Sequence, residues 1–583
     1  MNSLYSCRAI RRMVALTAVI LLTFSCSPRH DSGFEKNMEW WKEARYGMFV
    51  HWGISSLEGF EISWARDGYG PQKYDSLALR FNPSEFDADA WIDVAEQAGM
   101  KYIVLTAKHH DGFCLWDTES STHNIMNTPY GKDVCRQLAD AAHRRGMHLG
   151  WYFSTRQWND PDCADPERTG IYVEKMKMQL RELLTNYGKV DLLWFDYDGY
   201  PCPTDPREIF SYVLELAPDI VINNRLYPLT GHESHAYVGE CGMYATPEQF
   251  VGGYGVVPWE TNSTTASSRQ WSIRYNDPPR PSEDMAWELI GAAGGNGNFL
   301  MNVGPDSLGV IPPDYAMRLK EVGDWIRAHE GILYGTTCGP WKPGSNYVST
   351  QKDGSAYLVL REGGSITLPY SEDLKIAKAQ IDGKNIEYSV ADGKITFSVP
   401  DEYSGVRNLA IRLSGVSVPE GFEPLAPFCT SGSVAYCKPI TASSSISDVY
   451  MHCPSAANDD NPQTIWRPGR VKGLDEIDAY GTIIRFTDPD NGQFFSRDAT
   501  LEVDLQDETE VSSVKVMPGG WVNIGEVKVE RLEGSDWVTV ADTSNLTSDW
   551  ECSFAPQTAQ RWRLVIKDGD YDFGIREFQL LKD

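Results

Sequence analysis

The stretch VDLLWFD, residues 190–196, decides how the rest of the chain is interpreted. Large apolar side chains fill its centre, and an aromatic pair leads directly into Asp196. Such a run is typical of a strand in a parallel sheet, because a strand of that kind is covered on both faces. The sequence YDGYP (197–201) then turns the chain. In barrels of alternating strands and helices, a polar residue at the carboxyl end of a strand usually faces the active site, so Asp196 is predicted to be catalytic.

The composition limits the classes of ligand. A chain of 583 residues is long enough for three or four domains. Its net charge of -28 argues against nucleic acid, because the phosphates would be repelled. The 19 Trp and 28 Tyr offer aromatic faces for the C–H faces of sugars, although such rings also fill cores. The 12 Cys include no C-x-x-C pair, so a zinc cluster is not expected and most are predicted to be buried thiols.

Residues 1–26 are predicted to be a targeting segment. Arginines precede an apolar run, residues 13–24, that is too short to span a bilayer as a stable helix. The sequence LTFSC (22–26) resembles a bacterial lipoprotein signal, in which Cys26 becomes the acylated first residue of the mature protein. Ordinary secretory cleavage near Ser27 is the alternative. The segment therefore predicts an exported protein, in the periplasm or at the outer membrane or cell surface of a bacterium, held to the membrane through a lipid on Cys26.

Residues 38–335 alternate between strand-like and helix-like patterns. Seven or eight such units in about 300 residues are typical of a (β/α)8-like TIM barrel, which has one strand and one helix per unit. The alternative is an open doubly wound sheet. No G-x-G-x-x-G follows a predicted strand, which lowers the expectation of a dinucleotide-binding fold.

Polar side chains recur where the predicted strands end, and these ends share one rim of a barrel. They are His51, His109, His110, Tyr152, Asp196 and Arg225. Their donors and acceptors suit a polyhydroxylated ligand. Two adjacent histidines suggest a metal site, but neighbours on a strand point to opposite faces, so the pair is predicted to chelate poorly.

Glycoside hydrolysis, the chemistry that these groups favour, needs a second carboxyl group. The loop-rich stretch 226–282 offers four glutamates, and one of them follows Trp259 at a predicted strand end. The four candidates are Glu233, Glu240, Glu248 and Glu260. The acid should have a raised pKa, so that it holds a proton near neutral pH. Spacing along the sequence does not decide among them.

Several motifs together resemble the α-L-fucosidases of glycoside hydrolase family 29 over about residues 38–415. The motifs are GMFVHWG (47–53), KHHDGF (108–113), WFD (194–196), NR (224–225), WET (259–261) and FLMNVGP (299–305). The resemblance implies a retaining mechanism with a covalent fucosyl-enzyme intermediate, in which Asp196 matches the nucleophile. It implies no cofactor for catalysis.

The same resemblance implies roles for other residues. The residues that match positions around the sugar are His51, Trp64, His109, His110, Tyr152, Arg225 and Trp271. An aromatic ring is expected against the C6 methyl group of fucose. Family members often carry a glutamate just before the first of these tryptophans, but Ser63 stands there, which leaves the role of Glu61 open. Glu248, in TPE (246–248), resembles the acid of several bacterial members, and Glu260 is the alternative.

The chain continues with two β-rich regions. Residues 336–415 show short alternating runs separated by glycine-rich turns, which predicts a small antiparallel β-sandwich. Residues 431–583 include ANDDNPQTIWR (457–467) and GIREFQL (574–580), which resemble a discoidin-like jelly roll of the family 32 carbohydrate-binding modules. That resemblance implies a structural calcium.

Oxygen ligands suit calcium, and Asp459 and Asp460 are the predicted ligands. A glycan ligand for residues 431–583, with Trp521 as a stacking platform, is one expectation, and a purely structural appendage is the other. Taken together, the sequence predicts an exo-acting α-L-fucosidase that acts on fucosylated oligosaccharides or glycoconjugates. An α-glycosidase for a galactose-like sugar and a non-catalytic glycan-binding protein are the alternatives. The aromatic pair Trp64 and Trp271 favours a methyl group over a hydroxymethyl group at the sugar.

Overall fold

The computed structural model describes residues 34–165, 167–196, 206–226, 241–248, 253–255, 257–445, 453–462, 464–468, 498–519, 523–569 and 573–582. The predicted leader with Cys26, the acid candidates Glu233 and Glu240, and Trp521 lie outside these residues. None of the helices in the described ranges has the length and apolar character needed to cross a membrane. Nine cysteines are described, and five of them are buried.

The first sheet contains seven parallel strands in the order β5-β4-β3-β2-β1-β7-β6. Its strands are β1 Tyr46–Val50, β2 Tyr102–Lys108, β3 His148–Ser154, β4 Leu192–Asp196, β5 Val221–Ile222, β6 Glu260–Thr264 and β7 Asn298–Val303. The predicted strand that ends at Asp196 is β4, and every residue of it before Asp196 is buried. The prediction of a parallel α/β architecture is therefore confirmed.

The two outer strands of this sheet, β5 and β6, approach each other through a short segment of residues 243–248. Isolated parallel bridges join Asn223 to Tyr244, Ala245 to Trp259, and Glu248 to Asn262. The sheet is therefore curled, and Glu248 is carried to the side of β6. The predicted regular repeat of strand and helix is interrupted here, because bridges take the place of a full strand pairing.

Ten helices lie in the described residues. They are α1 Glu35–Ala44, α2 Arg66–Tyr69, α3 Pro71–Asp75, α4 Ala88–Ala98, α5 Val134–Arg145, α6 Pro161–Ala164, α7 Thr169–Thr185, α8 Pro206–Leu216, α9 Ser282–Gly294 and α10 Pro313–Ala328. Local sequence sets several ends. The side chains of Asp87 and Asp133 accept backbone N–H bonds at the starts of α4 and α5. Gly99 and Gly146 end the same helices in the left-handed conformation that glycine adopts readily.

Two antiparallel sheets follow. The eight-stranded sheet has the order β11-β14-β13-β12-β15-β10-β9-β8, and the six-stranded sheet has the order β16-β17-β20-β18-β19 with β21 paired to β17. The first comprises β8 Thr337–Cys338, β9 Tyr347–Lys352, β10 Ser355–Glu362, β11 Ile366–Pro369, β12 Lys378–Ile381, β13 Lys384–Ala391, β14 Lys394–Ser398 and β15 Arg407–Ser414. The second comprises β16 Ile440–Ala442, β17 Ala499–Gly519, β18 Ile524–Glu533, β19 Asp536–Leu546, β20 Trp550–Gly569 and β21 Gly574–Leu581. Each sheet has its own apolar core, so the chain carries β-rich regions beyond the α/β unit.

Candidate active site

Asp196 lies at the carboxyl end of β4, with 16% of its side chain exposed. Its Oδ1 accepts a hydrogen bond from Arg225 Nη1 at 2.9 Å, and its Oδ2 accepts one from the Tyr152 hydroxyl at 2.6 Å. The His110 Nε2 atom lies 3.8 Å from Oδ2. Because each oxygen is held by a different donor, the plane of the carboxylate is fixed.

Arg225 holds a second carboxylate beside the first. Its Nη2 atom lies 2.8 Å from Glu248 Oε1, while its Nε donates to the Thr246 hydroxyl at 2.9 Å. The guanidinium carbon lies 4.5 Å from the ring centroid of Trp194. Retaining glycosidases place two carboxyl groups about 5–5.5 Å apart. Arg225 therefore holds the two carboxylates side by side, as a pair that such chemistry requires.

Three imidazoles line the same rim, and each is oriented by a hydrogen bond at Nδ1. The partners at 2.7 Å are Asn302 Oδ1 for His51, Ser63 Oγ for His109 and Ser154 Oγ for His110. Burial lowers the pKa of His51 and of His110 to about 4, and it lowers the pKa of His109 well below its ordinary value. The rings are therefore neutral near pH 7, and a neutral imidazole can both donate to and accept from a sugar hydroxyl.

The two adjacent histidines share one side of the pocket, with ring centroids 3.9 Å apart. The prediction that they point to opposite faces is wrong, because β2 ends at Lys108 and both residues lie in the turn beyond it. Together with Asp196 they place three ligand atoms within 4.8 Å of one another, so these are the described residues that could hold a metal ion at this rim.

Aromatic rings complete the walls. The Tyr152 ring lies between those of His109 and Trp194, nearly parallel to both, at centroid distances of 5.2 and 5.6 Å. Trp271 lies 5.2 Å from His51, and Trp64 meets His110 edge-on at 5.3 Å. All seven residues predicted to surround the sugar are therefore brought together around Asp196.

Glu61 is a residue of this site that sequence reasoning left open. Its carboxylate accepts hydrogen bonds from the backbone N–H of Trp271 at 3.0 Å and of Ser272 at 3.2 Å. The Asn302 amide donates to the Trp271 carbonyl and also accepts at His51. Burial raises the pKa of Glu61 to about 7. Glu61 thus anchors the loop that carries Trp271, and Ser63, which stands where the family often has glutamate, supports His109 instead.

Glu260, the alternative acid, occupies a different environment. It is the first residue of β6, at the amino end of the strand, whereas the sequence predicted the carboxyl end of a strand. None of its surface is exposed. Its carboxyl group accepts hydrogen bonds from Trp41 Nε1 and Trp194 Nε1, each at 3.2 Å, and from the Tyr102 hydroxyl. Burial raises its pKa to about 7. The pKa alone suits an acid, but the carboxyl group lies in the protein interior, away from the rim.

A family model described as alpha-L-fucosidase matches residues 26–331, just over half of the chain. The chain belongs to this family of glycoside hydrolases. An alpha-L-fucosidase of Dictyostelium discoideum is 29% identical over 346 residues, which cover 52% of this chain and 72% of that protein. The plasma alpha-L-fucosidase of Rattus norvegicus is 28% identical over 333 residues, covering 51% and 70%. The predicted family and the predicted class of activity are confirmed.

Solved structures give the same result for this fucosidase. Alpha-L-fucosidase isoenzyme 1 from Paenibacillus thiaminolyticus is 28% identical, with a TM-score of 0.59 over 67% of this chain and 100% of that one. A family 29 fucosidase from Bacteroides thetaiotaomicron, trapped as a covalent intermediate, is 22% identical, with a TM-score of 0.58 over 65% and 95%. The second likeness concerns the fold alone.

The anchoring of Trp271 leads to a first prediction. We expect Glu61→Ala to raise KM for an aryl α-L-fucoside about tenfold, because two backbone N–H groups lose their acceptor and the loop is freed. Steady-state kinetics measures this change, and Glu61→Gln, which keeps one acceptor oxygen, should give a smaller increase. The matched control is Glu58→Ala, since the Glu58 carboxylate pairs with Arg80 rather than with the loop. An unchanged KM in Glu61→Ala would contradict the anchoring role.

The buried Glu260 predicts a dependence of stability on pH. Its folded-state pKa, raised from 4.5 to about 7, lets the folded chain keep a proton that the unfolded chain releases. The protonated Glu260 therefore stabilises the folded chain fully below about pH 4.5, and this contribution is lost as the pH rises through about 7. We therefore expect the difference in free energy of unfolding between wild type and Glu260→Gln to fall by about 2–3 kcal/mol from pH 5 to pH 8. Urea denaturation at both pH values measures this, and a constant difference would rule out the titration.

Proposed function

We propose that this fucosidase is exo-acting and retaining, and that it releases L-fucose from fucosylated oligosaccharides or glycoconjugates through a fucosyl ester of Asp196. The observation that supports these roles most directly is the bridge that Arg225 makes between the carboxylates of Asp196 and Glu248. Neutral imidazoles and aromatic rings around the pair suit the hydroxyl groups and the methyl group of the sugar.

In the first step, an oxygen of Asp196 attacks the anomeric carbon while Glu248 gives its proton to the glycosidic oxygen. The saccharide leaves and the ester forms. In the second step, Glu248 takes a proton from water, the water oxygen attacks the same carbon, and Asp196 is released. Glu248 is ion-paired with Arg225 in the structure. Substrate binding therefore has to break this ion pair before Glu248 can serve as the proton donor.

We assign the acid role to Glu248 rather than to Glu260. Glu248 has 27% of its side chain exposed beside Asp196, whereas Glu260 is fully buried and already accepts three hydrogen bonds. A general acid has to come within hydrogen-bonding reach of the leaving oxygen, and that geometry takes precedence over pKa.

Proton NMR of enzyme mixed with a small substrate panel tests the reaction. The panel contains an aryl α-L-fucoside, an α-1,2-fucosylated oligosaccharide, branched α-1,3/4-fucosylated oligosaccharides and an aryl α-galactoside. Fucose that appears first as its α anomer is the expected result, and the panel gives the linkage. Initial β-fucose would contradict retention, and faster release of galactose would favour the galactose-like alternative.

We also propose a division of the chain into three domains. The curled sheet belongs to a (β/α)8-like barrel over residues 38–335. A β-sandwich follows over 336–415, and a discoidin-like jelly roll over 431–583. The bridges between β5 and β6 and the separate apolar cores of the two antiparallel sheets support this division. A glycan ligand for the last region rests on the sequence resemblance alone. Glycan-array binding by the enzyme with Asp196→Asn tests for such a ligand.

We propose a structural calcium in the C-terminal region, held by Asp459 and Glu577. Glu577 is buried and Asp459 is half-buried, and withdrawal from solvent raises the pKa of both carboxyl groups above the ordinary range. Glu577 Oε1 has no hydrogen-bond partner among the described residues. Two neighbouring carboxyl groups, one of them buried with an unsatisfied oxygen, fit a hard cation. Asp460 fits less well than predicted, because its Oδ2 accepts from Thr430 and Ser431.

Calcium should therefore stabilise this region. We expect chelation to lower the temperature of an unfolding transition by several degrees, calcium to restore it, and Glu577→Gln to remove the response. Differential scanning calorimetry with calcium and with magnesium measures the effect. Asp373→Asn, on the β-sandwich, is the control. If neither chelator nor calcium changes the unfolding temperature of the wild-type protein, the proposed calcium site is contradicted.

We propose, finally, that residues 1–26 direct export and that Cys26 carries a lipid in the periplasm or at the cell surface. The arginines, the short apolar run and LTFSC (22–26) support this. Expression of the full chain in a bacterium with a radiolabelled fatty acid tests it. Label that disappears in Cys26→Ser is expected, and a soluble unlabelled wild-type protein would favour ordinary secretion.

A further inference from the structure

Trp194 is packed beneath the groups that hold the two carboxylates. Its ring stacks on that of Tyr152 at 5.6 Å, and Arg225 lies over it at 4.5 Å. Tyr152 and Arg225 are the two residues whose donors orient Asp196. A shift or tilt of the indole ring would therefore move both donors together.

The orientation of this ring is set from below by Glu260. The Trp194 indole N–H donates to Glu260 Oε1 at 3.2 Å, while Oε2 accepts from Trp41 at 3.2 Å and from the Tyr102 hydroxyl. Trp41 belongs to α1 and Tyr102 to β2, so the carboxyl group ties three separate elements together. An indole has a single donor, and burial makes that one hydrogen bond expensive to lose.

We propose that Glu260 is a positioning residue, which fixes the Trp194 ring and, through Tyr152 and Arg225, the attack geometry of Asp196. The proposal rests on the proposed role of Asp196 and gives Glu260 a function other than acid catalysis. Glu260 touches neither the sugar nor the reacting atoms. Its effect on the rate arises because displacements of about 1 Å at a reacting group can cost two orders of magnitude.

The test is a double-mutant cycle between Glu260 and Trp194 with an aryl α-L-fucoside. Glu260→Leu removes the acceptor, and Trp194→Phe removes the donor while it keeps an aromatic ring. We expect each single variant to lower kcat about tenfold with KM changed less than about twofold, because ground-state contacts to the sugar remain. The double variant should be no slower than the worse single variant, because both changes break the same hydrogen bond. Glu260→Gln, which keeps an acceptor for the indole, should recover most of kcat.

Several results would overturn the proposal. Losses that multiply to about a hundredfold in the double variant would mean that the two residues act independently. A Trp194→Phe variant with wild-type kcat would mean that the indole hydrogen bond does not position Asp196, and this variant serves even if Glu260→Leu does not fold. If Glu260→Gln loses activity only on saccharides with poor leaving groups, Glu260 would be the acid. Failure of the proposed function is distinct, because then Asp196→Asn would keep fucosidase activity.

Discussion

Asp196→Asn should lower kcat for an aryl α-L-fucoside by about 10⁴-fold or more, with KM changed little. The amide cannot form the ester with the anomeric carbon, so the covalent route is closed, while the imidazoles and aromatic rings still bind the sugar. Discontinuous and continuous assays of the released phenol measure the change in kcat and KM. Asp196→Gly with added azide should regain part of the activity and yield the β-fucosyl azide, because azide enters from the face that the carboxylate has left.

Tyr152→Phe is the matched control for this variant. It removes one of the hydrogen bonds to Asp196 and keeps the ring between His109 and Trp194, so its loss should be about 10- to 100-fold. An Asp196→Asn enzyme that works at a rate near that of wild type would rule out Asp196 as the nucleophile.

Glu248→Gln should show the second large effect, and the effect should depend on the leaving group. On fucosylated oligosaccharides, whose leaving alcohols need a proton, we expect kcat/KM to fall by about 10²- to 10⁴-fold. On an aryl fucoside with an acidic phenol, formation of the ester needs little protonation, so the loss in that step should be far smaller. Rates across a series of substituted aryl fucosides therefore measure the role of Glu248.

Glu260→Gln provides the control for this series, because its side chain has nearly the same shape and lies in the interior. Its kcat/KM should fall by a similar small factor on every leaving group. Equal losses on activated and unactivated substrates in Glu248→Gln would contradict the assignment of Glu248 as the acid.

The sequence predicted the convergence at the rim because parallel strands deliver their last residues to one edge. His51, Tyr152 and Asp196 each follow an apolar run, and the structure brings them together as that pattern requires. The pattern did not show how far each strand extends. Because β2 ends at Lys108 and β6 begins at Glu260, the orientation of the histidine pair and the location of Glu260 were both misjudged.

Contacts between distant parts of the chain could not be predicted from the sequence patterns. Glu61 meets the backbone of Trp271 across 210 residues, and no periodicity encodes such a pair. Glu577 lies in GIREFQL (574–580), a motif that indicated the jelly roll but no metal ligand, and only its burial beside Asp459 makes it a candidate ligand. The curl that places Glu248 beside Asn262 depends likewise on isolated bridges rather than on a recognisable strand.

The measurement that tests the central claim most directly is capture of the covalent intermediate. The enzyme would be incubated with a 2-fluorinated fucosyl fluoride, digested, and sequenced by mass spectrometry. We expect inactivation with one fluorofucosyl group per chain, attached to the Asp196 side chain. A label on any other carboxylate, or complete hydrolysis of the reagent to 2-deoxy-2-fluoro-β-L-fucose without any covalent species, would contradict the account.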